Sequence, residues 1–484
     1  MMNTPVVIGI GDIQQKDNFN NLDEALILMD KATKFAIEDT GNSKIKNYID
    51  EILIPKGYWK YRDPGKWIAK ENNFKEVKTS VSKIGILQQS LINLACNKIQ
   101  AGEVQACLIL GGEARYKRTK ALIEKKEFVE TELTQNPDNY VKAKDELQID
   151  REKEVLGTMA VGYYSIFESA LRHKREKGFN EHHKYLSDVY EKFSKIAVKN
   201  KDGWSEQEVS SEVILNSSNK NPQIAFPYNK YHCTSWNVNQ AAAIIICSEE
   251  LANTLDIDQK KRIYPIAASE NNHMIPSILR PHLSEQVGMQ MAANFIMDIC
   301  KNKDINISYF DLYSCFPVAV QMFADALGIE DISNSTITGG MSFAGGPLNS
   351  YVLHSTVKMI KRLRQNNNNK AGVITGVSGM MTKQSYCLWS NQSLSKFMFK
   401  DVTKDASKID IPKKISTKNF GEAKIIGYTI ISDNQITKKA VIYVEDANSE
   451  RNIIQSHDIK VIKSMESEEW VGKVINFKNL QLVS

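Results

Sequence analysis

Short apolar runs alternate with longer amphipathic stretches through most of this sequence. Residues 6–10 and 104–111 are apolar, and the second of these runs ends at glycine. Between them, residues 87–101 place leucine and alanine on one face at helical spacing, and Gly102 marks the expected end of that helix. Buried-type strands that alternate with helices predict an α/β protein whose strands are mostly parallel and covered on both faces.

Two of the apolar runs are similar in kind. Residues 104–113 and 371–379 are both apolar strands that end at glycine, although their sequences have little in common. We interpret them as equivalent strands in two halves of one duplicated architecture. This interpretation assigns residues 1–255 to an N-terminal half and residues 256–400 to a C-terminal half.

Two further segments depart from the alternating pattern. Residues 115–150 are dense in lysine and glutamate, and polar helical character continues to about residue 231. We therefore interpret residues 115–231 as a helical insertion that covers a site. From residue 401 a charged linker leads into closely spaced β-rich runs, so residues 401–484 are predicted to contain a small β-barrel, most similar to the OB type.

Composition limits the classes of function. The 484 residues include 62 basic and 57 acidic side chains, and the formal net charge of +5 is weak for a nucleic-acid binder, so no nucleic-acid partner is expected. The seven cysteines are scattered without C-x-x-C spacing, so no metal site is predicted, and this usage fits a reducing, cytoplasmic location. No run of about 18 apolar residues occurs, so no membrane span is expected.

Two loops in the C-terminal half carry the most specific signal. Residues 339–347 read Gly-Gly-Met-Ser-Phe-Ala-Gly-Gly-Pro, and residues 311–317 read Asp-Leu-Tyr-Ser-Cys-Phe-Pro. Together with the apolar anchors described above, these loops make the chain resemble the thiolase superfamily over about residues 4–400. The resemblance is to the sterol-carrier-type thiolases and to thiolase-like proteins of the acetyl-CoA acetyltransferase family.

The resemblance implies a duplicated thiolase fold of layered αβαβα type, an acyl-CoA or similar pantetheine thioester as ligand, and a homodimer. Thiolases use a cysteine thiolate at a helix N-terminus, a histidine in a Gly-His-Pro motif, and a second cysteine in a Cys-x-Gly loop. This chemistry is covalent acyl transfer with oxyanion stabilisation, and it implies no metal or redox cofactor.

The chain departs from the family at each of these positions. Alignment places Ile86 where the nucleophilic cysteine should be, and Gly346 of Gly345-Gly346-Pro347 where the histidine should be. Ser378 lies in the segment that matches the Cys-x-Gly loop, and this segment has no cysteine. Because the loss of one oxyanion donor typically costs about 10²–10³ in rate, the usual thiolysis is not expected. Ile86, Gly345 and Gly346 remain candidate substrate-binding positions.

The His-Asp-Cys-Phe motif of sterol-carrier-type thiolases appears here as Tyr313-Ser314-Cys315-Phe316. The resemblance places Cys315 near the pocket, and the Tyr313 hydroxyl is able to donate a hydrogen bond to a thioester oxygen. Cys315, Tyr313 and Ser378 are therefore candidate catalytic residues, and Phe316 is a candidate substrate contact. The alternative is that Cys315 is a packed loop cysteine and Tyr313 a structural tyrosine.

Three functions are compatible with this pattern. The first is a thiolase-like protein that binds acyl-CoA thioesters without the usual thiolysis. The second is an acyltransferase that works by a non-standard route through Cys315 or Tyr313. The third is a non-catalytic scaffold that recruits a protein partner through the C-terminal barrel.

Overall fold

The computed structural model describes residues 3–366, 369–433 and 437–483. The strands up to residue 255 are β1 (Pro5–Gln14), β2 (Ile49–Pro55), β3 (Lys78–Ser82), β4 (Ala106–Ala114), β5 (Asn139–Val141), β6 (Gln223–Ala225), β7 (Tyr228–Asn229) and β8 (Asn239–Ser248). The helices of the same part are α1 (Ala25–Thr40), α2 (Pro64–Glu71), α3 (Gln88–Ala101), α4 (Arg115–Glu124), α5 (Asp150–Leu156), α6 (Ala160–Lys174), α7 (Phe179–Lys199), α8 (Ser211–Leu215) and α9 (Glu249–Thr254).

The first sheet has the strand order β1-β8-β4-β2-β3-β5. Strand β8, second in this order, is antiparallel to both β1 and β4, whereas β4, β2, β3 and β5 run parallel to one another. Every residue of β8 is buried, and its middle reads Ala-Ala-Ala-Ile-Ile-Ile. Such a continuous apolar strand requires cover on both faces of the sheet, as the sequence predicted.

The second half repeats this topology. Its strands are β9 (Tyr264–Asn271), β10 (Ile307–Asp311), β11 (Ala371–Ser378), β12 (Lys383–Ser390) and β13 (Met398–Asp401), and its helices are α10 (Val287–Asn302), α11 (Pro317–Leu327), α12 (Tyr351–Arg364) and α13 (Thr403–Ile409). Strand β12 is antiparallel to β9 and β11, and β10 is parallel to β11, which reproduces the arrangement of β1, β8, β4 and β2. Strands β4 and β11 are thus equivalent, and the predicted duplication is confirmed.

Helices α3 and α12 form a layer between the two sheets. Leu91 and Ile92 of α3 belong to one apolar cluster with Leu353 and Ile360 of α12, and this cluster also contains residues of β1, β4, β8, β11 and β12. Helix α1 packs on the opposite face of the first sheet, and α10 on the opposite face of the second. This gives the predicted layered αβαβα order. Helix α3 ends at Gly102, whose φ of 75° is favourable for glycine.

The tail forms a closed barrel. Its elements are β14 (Lys414–Ile415), β15 (Phe420–Asp433), β16 (Thr437–Glu445), β17 (Glu450–Ser456), α14 (Ile459–Met465), β18 (Val474–Lys478) and β19 (Gln481–Leu482). Strands β15, β16, β17, β19 and β18 pair in this order, and β18 pairs with β15 to complete the ring. The predicted small β-barrel is confirmed, whereas its assignment to the OB type stays a prediction.

The barrel is joined to the insertion by backbone pairing and by a buried charge. Strand β6 pairs with β15, where Ala225 lies opposite Ile431. The fully buried guanidinium of Arg172, on α6, donates to both carboxylate oxygens of Glu469 at 3.0 Å and to the Tyr428 hydroxyl at 3.1 Å. Across the described ranges, the helices include none that is both long and apolar enough to cross a membrane.

Candidate functional site

The glycine loop at residues 339–347 is positioned by Asp311, the last residue of β10. The Asp311 carboxylate is completely buried and accepts hydrogen bonds from side chains and amides on both sides of the loop. Its donors, at 2.5 to 3.2 Å, are Thr336 Oγ1, the amides of Ile337 and Thr338, Thr338 Oγ1, the Tyr351 hydroxyl and Ser355 Oγ. One carboxylate therefore links the end of β10, the approach to the loop and the first turns of α12.

The insertion lies directly on this loop. A β-carbon built on Gly339 would lie 2.3 Å from the backbone nitrogen of Ala197 in α7, and one built on Gly340 would lie 2.8 Å from the Phe193 ring. Both glycines also have positive φ, 99° and 75°. Larger residues are excluded here because α7 approaches the loop backbone closely. Helix α7 of the insertion therefore covers the glycine loop, and the expectation that this loop belongs to a functional site stays a prediction.

Gly346, where the resemblance expects a histidine, has no space for a side chain. A β-carbon built there would lie 2.2 Å from Thr234 Cγ2 and 3.1 Å from the Met341 methyl. The Gly346 amide donates to the Ser235 carbonyl at 2.9 Å, which holds the loop against the 234–235 segment. The adjacent Gly345 lines a cavity of only about 60 Å³, together with Tyr351 and His354. The position at which the resemblance expects a histidine therefore has no room for a side chain.

Cys315 is packed in the next loop. The side chain is 8% exposed, and burial raises the pKa of its thiol to about 12, although the adjacent Tyr164 hydroxyl acts in the opposite direction. The amide and the hydroxyl of Thr234 donate to the Cys315 carbonyl at 3.2 and 3.0 Å. Because the thiolate is the nucleophilic form, this environment makes Cys315 a weak nucleophile at neutral pH.

Tyr313 and Phe316 extend the same loop. The Tyr313 amide donates to Thr375 Oγ1 at 2.8 Å, and its ring meets the Tyr351 ring edge-on at 5.7 Å. Burial raises the pKa of the Tyr313 hydroxyl well above its usual range, with the Gln88 side chain beside it. Phe316 packs against Tyr164 at 4.6 Å between ring centroids. Tyr313 is therefore a neutral hydroxyl, able to donate a hydrogen bond but not to act as a base at neutral pH.

Ile86 lies just before α3 and packs against the same apolar cluster as Tyr313. The preceding Gly85 has a φ of 105°, and its carbonyl accepts from the buried Lys383 ammonium at 2.8 Å. Gln88, in the first turn of α3, accepts from the Val352 amide of α12 at 2.7 Å. The N-termini of the two central helices therefore meet beside Ile86 and Tyr313.

The structure brings most of the predicted site residues together. Cys315 and Gly346 both adjoin Thr234, and Tyr313 and Ile86 both adjoin the α3 N-terminus. Ser378 is the last residue of β11, opposite Lys383, and in the described part of the chain it makes no hydrogen bond to Cys315 or Tyr313. Ser378 therefore remains a candidate only by resemblance.

Sequence reasoning missed three residues of this region. Thr234 lies against Gly346, Tyr164 adjoins the Cys315 sulfur, and Gln88 joins the two central helices. Tyr164 and Thr234 belong to the insertion and the segment that follows it, where no motif marks them. Gln88 lies within the segment expected to carry the nucleophile. In the residues that the structure describes, no three His, Cys, Asp or Glu side chains group closely enough to hold a metal ion.

Comparison with known proteins gives a structural likeness only. No protein-family model and no curated protein matches the chain. The crystal structure of a monomeric SCP2-thiolase-like protein type 1 from Mycobacterium smegmatis matches with a TM-score of 0.83 and 20% identity, and covers 100% of this chain and 99% of that one.

Thiolases match a smaller share of the chain. The acetyl-CoA acetyltransferase from Syntrophomonas wolfei covers 81% of this chain and 100% of its own, with a TM-score of 0.55 and 15% identity. The Acat5 thiolase from Ascaris suum, solved in complex with coenzyme A, covers 80% and 99%, with a TM-score of 0.54 and 13% identity. This chain therefore has the thiolase fold, and the M. smegmatis match extends through the barrel.

Proposed function

We propose that this thiolase-fold chain binds an acyl-CoA or similar pantetheine thioester and does not carry out the usual thiolysis. The absence of the usual thiolysis is supported by the Gly346 position, where Thr234 Cγ2 lies 2.2 Å from the place of a β-carbon. A thiolase histidine cannot stand there without a shift of the 234–235 segment. The resemblance places Ile86 at the nucleophile position, and its side chain has no reactive group.

The proposed binding region is the meeting point of α3, α12 and the two loops. Ile86, Phe316, Gly345 and Gly346 are its candidate substrate contacts. The N-termini of α3 and α12 meet in this region, where the Val352 amide donates to the Gln88 side chain. The cavity of about 60 Å³ beside Gly345 is too small for an acyl chain, so binding requires the region to open.

Isothermal calorimetry with acetyl-CoA and acetoacetyl-CoA tests the proposal, followed by an assay for released CoA in the same samples. We expect saturable binding without CoA release. Release of CoA would contradict the proposal and favour an acyltransferase that uses Cys315 or Tyr313. The Cys315→Ala variant then decides between the two residues, because only a reaction through Cys315 would be abolished by it.

A non-catalytic scaffold is the second candidate, and the closed packing of the site favours it. Cys315, Phe316 and Gly346 are all buried, and α7 covers the glycine loop. In this case the calorimetry shows no binding of either thioester, and the C-terminal barrel is the surface expected to recruit a protein partner. Sedimentation of the purified chain tests the homodimer that the thiolase resemblance implies, with a single monomeric species as the contrary result.

A further inference from the structure

A second cavity, of about 340 Å³, lies at the junction of three parts of the chain. The end of α6 forms one wall, the 281–284 segment a second, and strands of the barrel the third. Its volume is within the usual range for a small-molecule site, whereas the cavity beside Gly345 is about 60 Å³. None of its lining residues is a candidate residue of the thioester region described above.

The barrel wall of this cavity has charged side chains on three neighbouring strands. Glu445 of β16 lies opposite Lys424 of β15 on one side and opposite Arg451 of β17 on the other. The Glu445 carboxylate is 2.8 Å from Arg451 Nε and 3.2 Å from Lys413 Nζ. The Glu445 carboxylate thus pairs with two cationic side chains, and Lys424, opposite it on the neighbouring strand, lines the same cavity.

The cavity therefore has excess positive charge. Lys413, Lys424 and Arg451 bring three positive charges against the single negative charge of Glu445, which leaves an excess of two. Lys424 makes no ion pair with any residue in the described part of the chain. Arg451 is 4% exposed and is held in place by donation from its Nη2 to the Pro281 carbonyl at 3.0 Å. Lys424 is exposed and Lys413 is partly exposed, so the field of these cationic side chains extends to the cavity opening and would attract an anion there.

The rim adds further donors. His173 and Lys174 at the end of α6 line the cavity, and the His173 ring lies against Gly472, where a β-carbon would be 3.2 Å from its Cε1. Gly472 has a φ of 92°, so this position favours glycine and leaves the imidazole at the opening. Lys174 is paired with Glu285 and adds no net charge.

We propose that this cavity is a binding site for a phosphate ester or diphosphate group. Such groups carry two or more negative charges and several acceptor oxygens, which match an excess charge of two and the lysine, arginine and imidazole donors present. The site goes beyond the proposed thioester function. Its phosphate could belong either to a separate phosphorylated metabolite or to a coenzyme A thioester, and the experiment separates these sources.

The first probe is inorganic pyrophosphate, titrated into the full chain at low ionic strength by calorimetry. We expect saturable binding that weakens as salt is added, because the attraction is mainly electrostatic. Lys424→Glu should weaken it by at least about tenfold, and Lys424→Gln should weaken it less. The matched control is Lys414→Glu, a neighbouring exposed lysine of β14 that does not line the cavity. Absence of binding to the folded wild-type chain, or equal weakening by the Lys424→Glu and Lys414→Glu variants, would overturn the proposal.

Coenzyme A and phosphate-free acetyl-pantetheine identify the source of the phosphate. If coenzyme A displaces pyrophosphate and Lys424→Glu weakens its binding, the phosphate belongs to the thioester ligand. If coenzyme A leaves pyrophosphate bound, the site serves a separate phosphorylated molecule. Binding of acetyl-pantetheine reports on the thioester region alone, so a failure of the proposed function is distinguishable from a failure of this site.

Discussion

The side-chain oxygen of Gln88 accepts a hydrogen bond from the Val352 amide at 2.7 Å and joins the first turn of α3 to the first turn of α12. Gln88 is 4% exposed, and the two helices belong to different halves of the duplicated fold. Amides at a helix N-terminus have no partner within their own helix, so a side chain from the neighbouring helix satisfies one of them here. The contact fixes the relative position of the two halves where the candidate site lies.

Replacement of this glutamine should weaken the joint between the halves. We expect Gln88→Leu to lower the free energy of unfolding by about 1–3 kcal/mol, because the Val352 amide is left buried without an acceptor. Urea denaturation followed by circular dichroism measures the change. Gln365→Leu, at an exposed position after the end of α12, is the matched control and should change stability by less than about 0.5 kcal/mol. Equal effects of the two variants would show that the bond does not join the halves.

The close approach of Thr234 to Gly346 can be tested by substitution at both positions. Gly346→Ala should destabilise the fold by about 1–3 kcal/mol, because its new methyl group overlaps Thr234 Cγ2. Thr234→Ser removes that methyl group but keeps the hydroxyl that donates to the Cys315 carbonyl. The double variant should therefore recover most of the loss in a double-mutant cycle measured by urea denaturation. Strictly additive effects would mean that the two positions do not compete for space.

These two contacts also show where inference from the sequence ends. The alternation of strands and helices, the end of α3 at Gly102 and the equivalence of β4 and β11 depend on local pattern, and all were predictable. The absence of the histidine at Gly346 was visible by resemblance. The contact of the Thr234 methyl group with Gly346 was not predictable, because it joins distant segments and a threonine there has no periodic or motif signal.

The pairing of the insertion with the barrel was likewise not predictable from the sequence. Strand β6 is three residues long and falls within a polar segment, so neither length nor alternation marks it as a strand. Likewise β5 pairs with the edge of β3 although all three of its residues are exposed. Short strands of this kind form because a sheet edge is available, which is a tertiary effect outside the reach of local propensity.

The rate at which its thiol reacts with a disulfide reagent distinguishes a packed Cys315 from a reactive one. Burial raises the pKa of the Cys315 thiol to about 12 and that of Cys300 to about 11, and it raises the remaining five as well. We expect a disulfide reagent at neutral pH to react slowly with the native chain and to count seven thiols after unfolding. One fast thiol in the native chain that is lost in Cys315→Ala would instead indicate a reactive nucleophile.

Glu113 should make stability depend on pH. This carboxyl is 2% exposed, and burial raises its pKa from 4.5 to about 8, against the Tyr58 amide that donates to it at 2.9 Å. The folded state binds the proton more tightly than the unfolded state, so this contribution to stability is complete below pH 4.5 and is lost as pH rises through about 8.

Glu113→Gln should remove that loss, because the amide keeps an acceptor for Tyr58 and has no charge to bury. We expect the variant to exceed the wild type in free energy of unfolding by on the order of 3 kcal/mol at about pH 9, and to match it at about pH 4. Glu103→Gln, at an exposed position, is the control. A difference between wild type and Glu113→Gln that is the same at both pH values would exclude titration of Glu113 as the cause.

The buried Arg172 should make docking of the barrel depend on Glu469. The Glu469 side chain is 33% exposed and faces a guanidinium with no exposure, so Glu469→Gln leaves a buried positive charge without its counter-ion. We expect a loss of about 2–3 kcal/mol in the free energy of unfolding, less than for a fully buried pair because water reaches the carboxylate. Faster proteolysis between the insertion and the barrel should accompany it.

The exposed pair of Lys473 and Glu468 provides the control, since Glu468→Gln should cost less than about 1 kcal/mol. If both glutamine variants behave alike, the barrel is held by its strand pairing with β6 and not by the Arg172 charge.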